Sequence, residues 1–167
     1  LRTGRVAHLS LVAPAVAVND IVAPFLASRR ARRPFLRILD ETPERLPTAL
    51  ARGADLVITA TAPVAPVQIT LLARLPIWAY VPPGHPLAGR ERIALAELVG
   101  EPLLLPTVEH TTRRLVDSAL QQLGLVGRRI TECRLPQVAQ ALAATGHGVA
   151  VVSDDPRFGL RAIPVDG

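Results

Sequence analysis

Four histidines and one cysteine are the side chains of this chain best suited to hold a metal or act as nucleophile or base, and their spacing suits neither task. His8, His85, His110, His147 and Cys133 are scattered, whereas a metal ion needs several such ligands brought close together. Cys133 follows Glu132, a neighbour that discourages the thiolate, and reads as a small strand hydrophobe. No Gly-x-Ser-x-Gly elbow occurs. Gly146-His147-Gly148 lacks the glycine spacing and the lysine of a phosphate loop, and reads as a helix-to-strand turn that needs glycine dihedrals. His85, within Pro83-Gly84-His85-Pro86, has no visible catalytic partner and reads as a turn residue. The acid/base candidates come down to Glu41, Glu109 and His110, with no convergent pair among them. No metal and no cofactor is expected.

What remains are strand-to-helix turns. In parallel α/β sheets, ligands bind outside the carboxyl ends of the strands, near helix N-termini whose free amides attract anions. Three places qualify: Ala13-Pro14-Ala15, Glu41-Thr42, and the run Pro106-Thr107-Val108-Glu109-His110-Thr111. Thr107 and Thr111 offer hydroxyls at a helix start, and Arg113 could add positive charge. Thr111 could equally be a helix cap, and the two roles are compatible.

The elements that would position these turns alternate strand and helix from start to finish, the pattern of a parallel sheet flanked by helices. Arg5–Val12 reads as a strand, followed by a helix from Asn19 to Arg33 in which Pro24 is tolerable only near the first turn. Leu36–Asp40 is a second strand. Thr42-Pro43 looks like an N-cap with proline at the first helical position of a helix that ends at Gly53. Leu56–Thr59 reads as a fully apolar strand. Beyond a proline-interrupted stretch from Ala62 to Ala73 come the strand Ile77–Val81, a short helix Ala94–Val99 and the buried strand Leu103–Leu105. Leu115, Val116, Ala119, Leu120 and Leu123 fall on one face of a helix over Thr111–Leu123, closed by Gly124. Arg129–Cys133, Pro136–Thr145, Val149–Val152 and Arg161–Val165 read as strand, helix, strand and extended segment.

Composition narrows the class. With 167 residues, 49% of them hydrophobic, the chain can bury a real core as one domain or two small lobes. No apolar run approaches the length of a membrane span, the N-terminus does not read as a signal peptide, and a single cysteine fits a reducing compartment. A cytoplasmic location is expected. The formal charge is +5, and every basic residue is arginine. Arg29, Arg30, Arg32, Arg33 and Arg37 cluster at a predicted helix end, where cations suit the helix dipole; contact with an anion or DNA is the alternative. Aromatic residues are only 3%, too few for a platform that stacks single-stranded bases.

Three stretches, in order, carry a family resemblance: Gly53-Ala54-Asp55-Leu56-Val57-Ile58, Tyr80-Val81-Pro82-Pro83-Gly84-His85-Pro86-Leu87-Ala88, and Ala143-Ala144-Thr145-Gly146-His147-Gly148-Val149-Ala150. Together they resemble the effector-binding domain of LysR-type transcriptional regulators over nearly the whole chain. The resemblance implies two Rossmann-like α/β subdomains of type 2 periplasmic-binding-protein architecture joined by crossover strands. Subdomain I would be 1–76, with 162–167 returning to it, and subdomain II would be 77–161. Ile77–Val81 and Ala162–Val165 would be the crossovers. A small effector, often a carboxylate or aromatic metabolite, would sit in the cleft, facing Ala13, Pro14, Ala15, Thr42 and Thr59 on one side and Pro106, Thr107, Val108, His110 and Thr111 on the other.

The resemblance further implies a homodimer, or a tetramer in a longer protein, with the helix ending near Arg33 packed antiparallel against the Thr111–Leu123 helix of a partner. DNA would be contacted only through a winged helix-turn-helix domain absent from this chain, and no membrane is involved. Relatives usually carry a further strand and helix beyond the point matching Gly167. Many also place Ser or Thr where this chain has Ala-Pro-Ala, which implies a less polar effector or backbone-only contacts. Arg30 and Arg33 stand where aromatic residues are common. Two other functions compete: a solute-binding protein of a transport system on the same fold, and an enzyme on a two-lobed scaffold, such as a dehydratase or deaminase of small acids, which would need the missing acid/base pair.

Overall fold

The computed structural model describes residues 8–28, 35–61, 66–74 and 76–166. Arg29, Arg30, Arg32 and Arg33, the start of the first expected strand and Gly167 lie outside them. The chain divides into two compact units, Leu1–Ile69 and Thr70–Gly167, where the sequence suggested a boundary at 76/77.

In the first unit, β1 (His8–Ala13), β2 (Phe35–Asp40) and β3 (Leu56–Val57) form a parallel sheet in the order β2-β1-β3. Parallel neighbours cannot be joined by a tight turn. The link from β1 is helical: α1 (Ala15–Ala17) runs through a π-helical turn, Val18–Val22, into α2 (Ala23–Ser28). Pro24 therefore sits well past the first turn, contrary to expectation. Its ring would clash with the carbonyl of Asp20 in a regular α-helix. The chain widens just before it, the amide of Ala23 donating five residues back to the Val18 carbonyl.

Two further expectations fail in this unit. No α-helix spans Thr42–Gly53; turns and a 3₁₀ segment, Leu46–Thr48, stand there. Pro43 and Pro47 each lack a donor, and four residues apart they would put the second ring against the first one's carbonyl. Gly53, at φ +95°, does end the segment. The strand expected over Leu56–Thr59 is shortened to β3, and Leu56 is half exposed because β3 is an edge of the sheet. Val12, Leu46 and Ala49 form a small core with Ala54 and Val57 against it.

The second unit holds β4 (Trp78–Val81), β5 (Ile93–Ala94), β6 (Leu103–Pro106), β7 (Ile130–Cys133), β8 (Val149–Val152) and β9 (Arg161–Asp166) in one sheet, order β5-β9-β4-β8-β6-β7. It is mixed and not wholly parallel: β4 runs antiparallel to β8 and to β9. β9, expected to return to the first lobe, is hydrogen-bonded here between β5 and β4. β5 was not foreseen, being only two residues long.

Period-two alternation explains the near-continuous apolar strands. Ala79, Val81, Leu103, Leu105, Val149 and Val151 join Leu95 and Leu98 of α3 (Leu95–Leu98) and Val116 and Leu120 of α4 (Thr111–Gln122) in one buried cluster. Tyr80, Leu104, Ala150 and Val152 join Ala139 and Ala143 of α5 (Pro136–Ala144) in another. With both faces covered, neither can be polar.

Gly148 fixes the start of β8. Its φ is +150°, and a Cβ there would stand 2.2 Å from the Pro102 carbonyl oxygen, the acceptor of the Val149 amide. Gly146, at φ +81°, has open space around it. Gly148→Ala is expected to lower stability by roughly 3 kcal/mol or more, through strain and backbone overlap. Gly146→Ala should lose only about 1 kcal/mol, from its dihedral alone. Urea denaturation of the two variants checks the difference; equal losses would refute the contact.

Candidate functional site

Strands β7, β6 and β8 are neighbours and parallel, so their carboxyl ends form one edge. From that edge β6 leads through residues 107–110 into α4. The expected residues Pro106, Thr107, Val108, His110 and Thr111 all lie in this one connection. Pro106 is buried as the last residue of β6, Val108 is exposed, and Thr107, His110 and Thr111 are half-buried.

His110 occupies the N-cap position with extended backbone (φ −74°, ψ 137°) and makes no side-chain cap. Thr111 is thus the first helical residue and not the cap. Its hydroxyl accepts from Arg114 Nη2 at 3.3 Å, while Arg114 Nη1 donates to the Glu109 carbonyl at 2.7 Å. The Thr107 hydroxyl donates to the Glu109 carboxylate, which with Glu109's own amide holds that carboxyl below its ordinary range. With no side chain capping the helix, its first amides are left to solvent or a ligand.

Sequence reasoning missed the contact that closes this edge. Thr112 Oγ1 and Ser153 Oγ share a hydrogen bond at 3.0 Å. Ser153 is the first residue after β8, and β8 lies beside β6. The available signal was a hydroxyl ending the apolar run Val149–Val152.

Arg113 does not present free charge. It is buried: Nε donates to both Asp117 oxygens (2.9 and 2.8 Å), and Nη1 to Glu132 (2.7 Å) and to the Pro106 carbonyl (3.2 Å). Burial works against the guanidinium's charge, yet the hydrogen bonds to Asp117 and Glu132 outweigh it and the pKa is raised. A buried cation at the positive end of a helix needs such partners. Arg113 therefore clamps the end of β6 to α4 and β7.

The first unit has its own carboxyl edge. Ala13 is fully buried and its carbonyl accepts from the Glu41 amide at 3.0 Å; the Pro14 carbonyl accepts from Val18 at 3.0 Å. Ala15 opens the helix with no side-chain cap before it. Thr42 is exposed, its carbonyl receiving the Arg45 amide. The exposed Thr59 turns its hydroxyl back onto Thr61, accepting from that amide at 3.1 Å. Glu41 pairs with Arg52 (3.3 Å) and Arg45 (3.6 Å).

His85 Nδ1 accepts from the Leu87 amide at 3.2 Å, in keeping with its turn role, and His147 Nδ1 bonds the Thr145 hydroxyl at 2.9 Å. Burial pushes the Cys133 thiol above its ordinary value. Among the described residues no group of His, Cys, Asp and Glu could hold a metal ion. No described helix is long and apolar enough to cross a membrane. One surface hollow lies beside Val99, Gly100, Arg128 and Arg129, another runs along α4 from Arg113 past Gly124 to Ile130, and neither is lined by residues 106–111.

A family model described as the LysR substrate binding domain matches residues 2–160. The chain is similar to proteins named probable hydrogen peroxide-inducible genes activators from Mycobacterium leprae (31% identical over 121 residues, 70% of this chain and 38% of that protein) and Mycobacterium avium (31% over 143 residues, 80% and 44%). It thus spans less than half the length of these curated relatives. Among solved structures it is similar to the BenM effector binding domain with its effector benzoate, at a TM-score of 0.81, 21% identity, and coverage of 96% of this chain and 78% of that one. At that identity the likeness establishes the fold.

The Arg113 clamp is testable without a ligand. Arg113→Met is expected to destabilise the second unit by about 2 kcal/mol, below the full value for a buried pair because Asp117 and Glu132 are half exposed. Asp117→Asn or Glu132→Gln, each leaving one carboxylate in place, should lose under about 1 kcal/mol. Chemical denaturation of the three variants measures the order, and an Arg113→Met loss no larger than the others would refute the clamp.

Proposed function

The chain belongs to the LysR substrate-binding domain family, and on that premise we propose that it is the effector-binding regulatory domain of a LysR-type transcriptional regulator. The observation that carries the reading is the carboxyl edge of the second unit. There the hydroxyls of Thr107, Thr111, Thr112 and Ser153 gather at the uncapped start of a twelve-residue helix. Neutral hydroxyls and helix amides suit a small oxygen-bearing effector, and the amides favour an anion such as a carboxylate. Ala13, Pro14, Ala15, Thr42 and Thr59, on the carboxyl edge of the first unit's sheet, are proposed as that unit's own effector contacts, mostly through backbone. Effector binding would shift the domain's conformational balance, with DNA contacted through a separate domain of the whole regulator. An aromatic metabolite is the second effector class, since benzoate is the effector named for the BenM domain.

The family and the curated relatives are regulators, which leaves the transport alternative and catalysis without support. A thiol-based response to peroxide, suggested by the relatives' names, fits this chain poorly. Its one cysteine, Cys133, is buried in β7 with a raised pKa, the reverse of what oxidation of a thiolate requires.

The proposed homodimer would use α4, where Leu115 and, just past its end, Leu123 are more than half exposed. The helix expected to meet it ends near Arg33, outside the described residues.

Two experiments follow. A thermal-shift screen against metabolite carboxylates and aromatics should identify an effector, and calorimetry with Thr107→Val and Thr111→Val should show binding weakened about fivefold, the equivalent of about 1 kcal/mol, without unfolding. Unchanged affinity in both would remove them from the site. Sedimentation of Leu115→Glu should show a monomer where the native chain is dimeric; an unchanged dimer would place the interface elsewhere.

A further inference from the structure

Ser153 reaches Thr112 only because the chain after β8 is held in place, and the side chains that hold it come from two other elements. Gln140, in the middle of α5, is fully buried. Its Nε2 donates to the Asp155 carbonyl at 3.0 Å, and its Oε1 accepts from the Arg157 amide at 2.7 Å. One amide side chain thus satisfies a main-chain acceptor and a main-chain donor on the same loop. On the facing strand β4, the fully buried Tyr80 donates its phenol proton to the carbonyl of Asp154, the residue next to Ser153. The main chain is pinned this way at three residues, 154, 155 and 157. The loop then bends through Phe158 and Gly159, at φ +55° and +67°, into β9.

A glutamine is a poor choice for a fully buried helix position unless both ends of its amide are used. Here both are. Hydrophobic packing alone would be served by leucine, which has nearly the same volume.

We propose that Gln140 is a positioning residue for the Ser153–Thr112 hydroxyl pair, fixing the 153–157 loop so that an effector oxygen meets both hydroxyls at a set separation. Tyr80 is the second pin, and it ties that loop to β4. The proposal rests on the reading of this edge as the effector-facing one. It extends that reading to a residue that touches no ligand but decides how well Ser153 can.

The test needs no ligand. Thermal denaturation of Thr112→Val, Ser153→Ala and the double variant should give non-additive shifts in the native background, since each hydroxyl is the other's partner. In a Gln140→Leu background the same shifts should become additive. Hydrogen exchange at the Arg157 amide should accelerate at least tenfold in Gln140→Leu, with α5 amides unchanged. Gln140→Glu supplies the conservative control: protonated at acid pH, its carboxyl again offers one donor and one acceptor, and protection of Arg157 should return. Gln140→Leu at the same pH removes any contribution from Asp154, Asp155 and Arg157 themselves. A coupling that persists in Gln140→Leu, or Arg157 protection that survives it, overturns the proposal. Because these measurements are made on the free domain, a failed clamp and a failed effector site are distinguishable: the second is read from the Thr107 and Thr111 variants alone.

Discussion

Covering β4, β6 and β8 on both faces leaves these strands no place for polar groups except at their ends or, as with the Tyr80 hydroxyl, against a main-chain carbonyl. Leu103, Leu104 and Leu105 are all buried, as are all four residues of β8. Any unpaired polar atom among them would lose its hydration without return. The first residues free of that restriction are those just past Pro106 and Val152, and they are Thr107 and Ser153. Because β6 and β8 are parallel neighbours, their freed positions fall side by side. The hydroxyl cluster is therefore a consequence of burial and strand direction together. The same constraint explains Gly148, since bringing β8 tight against Pro102 leaves no room for a side chain where the strand begins.

Elements built on strong apolar periodicity were legible in the sequence. The α4 helix, α5 and strands β6 and β8 lie within a residue or two of their expected places, because each buries a stripe or both faces and the pattern records that; β7, an exposed edge strand, was placed as closely without that signal. Elements set by backbone chemistry were not. Pro24 suggested a helix starting near it, whereas a single wide turn lets the helix begin at Ala15 and pass through the proline. Thr42-Pro43 has the residues of a helix start, but Pro47 one turn later defeats the helix they announce. β5 has two residues, too short for any period to show.

Where the candidate site residues fall in the fold was legible to a similar degree, and for a similar reason. Loop residues 106–111 follow a buried strand and precede an amphipathic helix, so their location could be read. Their partners could not. Thr112 and Ser153 are separated by 41 residues, and only strand order brings them together. Charge misled more than polarity did. Arg113 counts as one positive charge in any composition, but in the fold it faces Asp117 and Glu132, which already match that charge. A count of arginines records charge without recording which of them are already neutralised.

That neutralisation bears on how an effector could be recognised. Thr107, Thr111 and Thr59 each have an intramolecular partner: Glu109, Arg114 and the Thr61 backbone. A ligand atom that engages one of these hydroxyls must replace a bond that already exists, so the net gain per contact is small, on the order of 1 kcal/mol or less. The helix amides at the start of α4 have no side-chain cap to displace, and a ligand oxygen there gains the interaction against water alone. Selection among small acids would then rest less on how many hydroxyls the site displays than on their fixed positions relative to those amides. On the proposed reading, holding such positions falls to the Arg113 guanidinium and the carboxamide of Gln140, both already engaged within the fold.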